Sequence, residues 1–131
     1  MSHPVGLPLV KVKFEIPLYG GIVRAFSDKN ELIKAYNKLS AREKQSSDSF
    51  PDVECSGMVF PTISKDGSLD FLVGVFDNDI TTLVHECGHL AIFVFEQIRC
   101  EITGDTSEPF CYLLEYLVRQ CKPLLTVATT E

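Results

Sequence analysis

The sequence has few basic residues and does not concentrate them. Its 131 residues include 12 lysines and arginines against 18 aspartates and glutamates, a formal net charge of −6. Nucleic-acid binding depends on a positive surface that displaces counterions from phosphates, so this balance argues against a nucleic-acid partner. A local basic patch is still compatible with it, because net charge describes only an average.

A long apolar run and a paired cysteine motif are also missing. No stretch approaches the ~18 consecutive apolar residues of a membrane-spanning helix, and the N-terminus has no signal-peptide pattern. The five cysteines form an odd set without a CxxC pair, and three fall in predicted helix interiors. Disulfide-stapled secreted domains usually carry an even set in loops, so we expect a reducing, cytoplasmic compartment and no membrane partner.

The first part of the chain predicts two strands and a helix. Residues 9–16 alternate apolar and polar side chains, which is typical of a half-buried strand, and a second short strand follows over 22–26. Asp28 and Glu31 form a capping-box pattern, which predicts a helix that ends near residue 40.

The middle of the chain predicts a loop followed by a hairpin. Residues 45–56 are polar and contain a proline, as loops do. Two apolar runs, 58–63 and 69–76, flank a turn-forming stretch at 65–68, and we interpret them as two paired strands.

The last part predicts two helices. The first extends from about residue 81 to 99, and the second from about 108 to 121 with Ser107 as its N-cap. Together these elements predict one α+β domain over residues 1–131, in which helices pack on a small, mostly antiparallel sheet.

The first of these helices carries the most informative residues. Its segment 83–95 is apolar nearly all round except at His85, Glu86 and His89, which predicts a central, buried helix. Polar groups buried in such a helix need partners. The three residues form an HExxH motif, in which four-residue spacing puts both imidazoles on one side of the helix, within reach of one ion.

This motif predicts a catalytic zinc site. Imidazole suits zinc, and a catalytic site keeps three protein ligands and one open position for water. Glu86 would then accept a proton from that water as the general base. The alternative is a metal-free core in which a neighbouring carboxylate satisfies the histidines.

A third ligand must come from elsewhere in the chain. His3 is a poor candidate near the terminus, which leaves Glu108 and Glu115 on the following helix. The spacing of 18 residues between His89 and Glu108 is similar to the thermolysin-like layout of two histidines and one glutamate.

The stretches FDNDITTLVHECGHLAIFVFEQ and SEPFCYLLEYLVRQ more closely resemble small HExxH proteins of tailed bacteriophages. The resemblance covers about residues 69–121. It implies a minimal zincin-like domain of the gluzincin type, with Glu108 as third zinc ligand and the cytoplasm of an infected bacterium as its setting.

Position 112 departs from larger gluzincins, which have an aspartate four residues after the third ligand. Here Tyr112 occupies it, and its hydroxyl either bonds a ligand or oxyanion, or is satisfied in the core. Glu115 lies on the same stripe of the helix, where a surface or ion-paired role is favoured over metal binding. No cationic residue is identified as a transition-state stabiliser.

The leading hypothesis is a zinc-dependent peptide hydrolase that acts on an extended peptide or protein segment. By analogy with zincin-like folds, the strand over residues 70–76 is the candidate edge for that peptide, and the alternative is a fully covered core strand. A zinc-binding, non-catalytic interaction protein is the competing function. The sequence makes no prediction of oligomeric state.

Metal analysis of the purified protein tests this prediction. We expect about one zinc per chain, lost or weakened in both His89→Ala and Glu108→Ala, because each variant would remove one of three protein ligands. Plasma mass spectrometry measures the content. Loss of zinc in His89→Ala but not in Glu108→Ala would make Glu115 the next candidate for the third ligand. A wild type that holds no zinc even after zinc is supplied would contradict the site.

Overall fold

The fold is described by a computed structural model for residues 9–40, 55–63, 67 and 69–126. Most of the predicted loop at 45–56 and of the turn at 65–68 lies outside these residues, as does His3. The elements, in chain order, are β1 (Lys11–Glu15), β2 (Ile22–Phe26), α1 (Lys29–Ser40), β3 (Gly57–Ile63), β4 (Leu69–Val75), α2 (Ile80–Gln97) and α3 (Ser107–Cys121). The predicted α+β class is confirmed.

The four strands form one mixed sheet in the order β1-β2-β4-β3. β1 pairs with β2 and β3 pairs with β4, both antiparallel, whereas β2 and β4 are parallel. Two of the three pairings therefore match the predicted antiparallel character. The predicted hairpin is also present, since β3 and β4 pair in register from Gly57 opposite Val75 to Ile63 opposite Leu69.

Helices cover both faces of the sheet. On one face α1 packs over a small cluster formed by Phe26, Leu32, Leu72 and Phe76. On the other face α2 and α3 pack over the larger core, which includes Phe71, Val73 and Val75 from β4. Alternate residues of β4 therefore point into two different cores, and this explains why its sequence is apolar on both faces.

β4 is an interior strand, so the prediction that residues 70–76 form the peptide edge is wrong. It pairs with β2 on one side and with β3 on the other. Both sets of its backbone groups are used within the sheet, which leaves none for an added peptide. The alternative of a covered core strand is the correct one, and β3 and β1 form the edges of the described sheet.

Helix starts were predicted with mixed success. The Asp28 carboxylate accepts a hydrogen bond from the Glu31 backbone N–H at 3.1 Å, which confirms that end of α1. At α3, however, Ser107 is already helical, and its hydroxyl donates to the Gly104 carbonyl at 3.0 Å. Thr106 occupies the N-cap position without a side-chain cap bond, so Ser107 as N-cap was wrong.

All five cysteines are free thiols, and two of them, Cys87 and Cys121, are fully buried in the core. Among the helices that the structure describes, none is long and apolar enough to cross a membrane.

Gly74 gives a direct test of packing on the α1 face. A methyl group added there would lie 2.3 Å from the Phe76 ring and 3.0 Å from Leu32. We expect Gly74→Ala to lower the free energy of unfolding by about 1–3 kcal/mol, because overpacking strains a dense core. Urea denaturation measures this. The control is Gly104→Ala, whose methyl meets nothing within 4 Å, and equal stability losses in the two variants would contradict the packing explanation.

Candidate metal centre

Helix α2 presents the HExxH motif, and its start is held by a cap. Asp79 is the N-cap residue, and its carboxylate accepts a hydrogen bond from the Thr81 backbone N–H at 2.9 Å. From there Leu83, Leu90 and Val94 turn toward the core. The cap and these contacts set the rotation of the helix about its own axis, and so determine which motif residues face solvent.

The two histidines lie together on the exposed face of α2. The Nε2 atoms of His85 and His89 are 3.2 Å apart. Two nitrogens that bind one zinc at ~2.0–2.1 Å with tetrahedral angles lie about 3.3–3.4 Å apart, so the pair fits one zinc ion. Without metal, the same separation allows an N–H of one ring to donate to the other ring.

The prediction that α2 is buried all round is wrong. Val84 and Ile92 are exposed together with both histidines, and of the three motif residues only Glu86 is buried. The sequence was misleading because apolar side chains also occupy the open face of the helix. Because both histidines are exposed, water can solvate them. Their presence in this helix therefore does not by itself require a bound metal.

Glu86 lies between the exposed face and the sheet. Its side chain is 7% exposed, and the start of β3 lies against it at Gly57. Burial raises the pKa of the Glu86 carboxyl, because a low-dielectric environment disfavours the charged form, and the nearby His85 and His89 partly oppose the shift. The motif thus brings together two exposed imidazoles and one largely buried glutamate.

Helix α3 packs on a different side of α2 from the histidines. Residues two apart in a helix are separated by about 200° around its axis, so Cys87 points away from both His85 and His89. The Cys87 thiol lies beside Cys121 of α3, and both residues are buried in the same core. At the other end of the pair, the rings of Phe95 and Phe110 meet edge to face at 5.2 Å. α3 therefore runs antiparallel to α2, behind the motif.

This packing bears on the predicted third ligand. Across residues 9–40, 55–63 and 69–126, no three histidine, cysteine, aspartate or glutamate side chains converge on a common ion position. The structure brings His85, His89 and Glu86 together, but it does not bring Glu108 into a three-ligand group with the histidines. Glu108 lies in the first turn of α3 and is exposed.

The two weaker candidates on α3 also face solvent. Tyr112 is 66% exposed, so its predicted alternative as a satisfied core tyrosine does not hold. Glu115 is exposed and accepts a hydrogen bond from the Arg119 guanidinium at 3.1 Å, an ion pair one helical turn apart. The surface role that the sequence favoured for Glu115 agrees with this contact.

Three residues near Glu86 were missed in the sequence. Gly57 lies against its side chain, Thr82 is one turn before it on α2, and Asp77 accepts a hydrogen bond from Thr82. The four-residue spacing from Thr82 to Glu86 was visible and places both on one side of the helix. Nothing in the sequence indicated Gly57, because it is 29 residues from Glu86 and meets it only through the fold.

No protein-family model, curated protein or solved structure matches this chain.

The buried carboxyl predicts a pH-dependent effect on stability. The pKa of Glu86 is higher in the folded state than its ordinary value of 4.5, so folding favours the protonated carboxyl. The contribution of Glu86 to the free energy of unfolding is therefore fully present below pH 4.5 and is lost as the pH rises through the raised pKa. In chelator-treated protein, Glu86→Gln should therefore be more stable than the wild type at about pH 7.5, and the difference should vanish near about pH 3.5.

Urea unfolding at the two pH values measures this difference. Glu96→Gln, which changes an exposed glutamate on the same helix, is the control and should show little change at either pH. A Glu86→Gln variant that is less stable than the wild type at the higher pH would show that the charged carboxylate is stabilised in the fold.

Proposed function

We propose that this protein is a zinc-dependent peptide hydrolase in which His85 and His89 bind the metal and Glu86 is the general base. The observation that carries the proposal is the pair of exposed Nε2 atoms, 3.2 Å apart, on the same helix as Glu86, a largely buried glutamate. A site that only bound metal through histidines would have no need of a desolvated carboxyl next to it.

The chemistry divides between the metal and the chain. Zinc, when bound, would polarise the scissile carbonyl and lower the pKa of water from about 15.7 to roughly 7. Glu86 accepts a proton from the attacking water and returns it to the leaving amine. A pKa above the ordinary value suits this role, because the group must both take and release a proton near neutral pH.

Among the described strands β3 lies at an edge of the sheet, and this position supports an extended peptide as the substrate. The Phe76 N–H donates to the Ser56 carbonyl at 2.8 Å, so alternate residues of β3 from Met58 onward face β4. Gly57 and Val59 then direct their N–H and C=O groups to the unpaired side. Since Gly57 also contacts Glu86, a peptide paired here would lie alongside the motif.

Pro61 limits the length of that pairing. It occupies an outward-facing position of β3, where its missing N–H removes no bond to β4 but leaves no donor for an added strand. At the opposite edge of the described sheet, the Tyr116 hydroxyl donates to the Glu15 carbonyl of β1 at 3.1 Å. The two edges therefore differ, and the half of β3 nearest the motif is the more available one.

Glu108 stays the third ligand that the resemblance predicts. Because it does not converge with the histidines in the described arrangement, this role requires the Glu108 carboxylate to be brought toward them. The same observation favours a second candidate function, a zinc-binding interaction protein without turnover, because two histidines alone leave the metal incompletely held.

Glu86→Gln separates the two functions. In zinc-loaded protein we expect kcat to fall about 10²–10⁴-fold, because the isosteric amide cannot accept the proton. Zinc content should be unchanged, since Glu86 is not a ligand. A quenched-fluorescent peptide library measures hydrolysis and mass spectrometry measures zinc.

Glu96→Gln is the matched control on the same helix and should keep wild-type turnover. Full zinc occupancy without hydrolysis by the wild type would support the interaction protein instead. Hydrolysis that survives in Glu86→Gln would contradict the assignment of the base.

A further inference from the structure

The turn between β4 and α2 holds the side chain of Thr82. The Thr82 hydroxyl donates to one oxygen of the Asp77 carboxylate at 2.7 Å, and the other oxygen accepts from the Asp79 backbone N–H at 3.2 Å. Asp79 is itself the N-cap of α2. The Thr82 hydroxyl is therefore tied to the same short segment that begins the helix.

The methyl group of Thr82 lies in the notch that also contains Glu86. A Cβ atom built on Gly57 would be 2.8 Å from Thr82 Cγ2 and 3.1 Å from Glu86 Cγ. It would also be 2.7 Å from the Gly74 carbonyl oxygen. A side chain at position 57 would thus meet both Thr82 and Glu86, so glycine there leaves the space beside β3 to these two side chains.

Threonine in a helix divides between two side-chain rotamers, unlike valine, which strongly prefers one. With the hydroxyl on Asp77, the Thr82 methyl group is directed to the Gly57 notch. The stem of Glu86 and the Thr82 methyl group lie beside the same Gly57 position, one helical turn apart on one side of α2, so the two side chains share the space that sets where the carboxyl lies.

We propose that Thr82 is a positioning residue for Glu86, with its rotamer selected by Asp77 and its methyl group forming one wall of the Gly57 notch. The functional part of this inference rests on the proposed role of Glu86 as general base. A general base must lie within hydrogen-bond reach of the proton it takes, and a misplacement of ~1 Å can reduce the rate about 10²-fold.

Two substitutions at position 82 separate the methyl group from the hydroxyl. Thr82→Ser keeps the hydroxyl that bonds Asp77 and removes the methyl group. Thr82→Val keeps the shape and supplies its own rotamer preference, but loses the hydrogen bond. Asp77→Ala removes the hydrogen bond that selects the rotamer of the native threonine. In the double variant Asp77→Ala/Thr82→Val, valine adopts its own preferred rotamer, so the loss of the Asp77 carboxylate should not displace the methyl group.

The position of Glu86 can be measured without any activity. In isotope-labelled, metal-free protein we expect a nuclear Overhauser effect between the Gly57 α-protons and the Glu86 γ-protons. It should weaken in Thr82→Ser and Asp77→Ala, and persist in Thr82→Val and in the double variant. Thr81→Ser, which removes a methyl group from the exposed face one residue away, should leave it unchanged.

Turnover of the zinc-loaded protein should follow the same order. We expect kcat to fall about 10-fold in Thr82→Ser and Asp77→Ala, with KM and zinc content unchanged, and to return to within about 3-fold of wild type in the double variant. Melting temperatures of all variants control for a general loss of stability.

The two readouts keep this inference separate from the proposed function. If the wild type hydrolyses no peptide, the proposed function fails, and the Overhauser series still decides whether Thr82 positions Glu86. If Thr82→Val loses the Gly57–Glu86 contact as Thr82→Ser does, or the double variant fails to restore it, the positioning role is wrong.

Discussion

The rotation of α2 on the sheet is the constraint on which the rest of the site depends. One face of this helix buries Leu83, Leu90 and Val94 against the core, and the Asp79 cap begins the helix at a defined point. Successive residues turn by about 100°, so the adjacent residues His85 and Glu86 fall in different environments. The histidines are exposed, and the stem of the Glu86 side chain between them in sequence lies against β3.

The side of α2 opposite the histidines is used for packing. Cys87 lies beside Cys121, and both the neighbouring Cys121 thiol and burial raise the pKa of the Cys87 thiol. A buried, protonated thiol is a small apolar group that suits a close helix–helix contact rather than a reactive site. The motif helix thus has one side that packs in the core, one side that exposes the two histidines, and Glu86 at the border with the sheet.

Much of the fold could be predicted from local patterns. Alternation in β1, the Asp28 cap of α1 and the pairing of β3 with β4 all depend on residues close in sequence, and all were confirmed. The errors arose where one sequence pattern, an apolar run, occurs in two different structural environments. Apolar runs in β4 and α2 did not distinguish an edge from an interior strand, or a covered helix from one with an open apolar face.

The sequence by itself determined that His85 and His89 share one side of a helix, because a four-residue spacing has that result in any α-helix. The structure adds that the Nε2 atoms of the two rings lie 3.2 Å apart on that side. Only the tertiary structure decided that Glu86 is buried, that Gly57 lies against it and that α3 packs behind the motif. Those features depend on contacts between residues far apart in the chain, which no local spacing encodes.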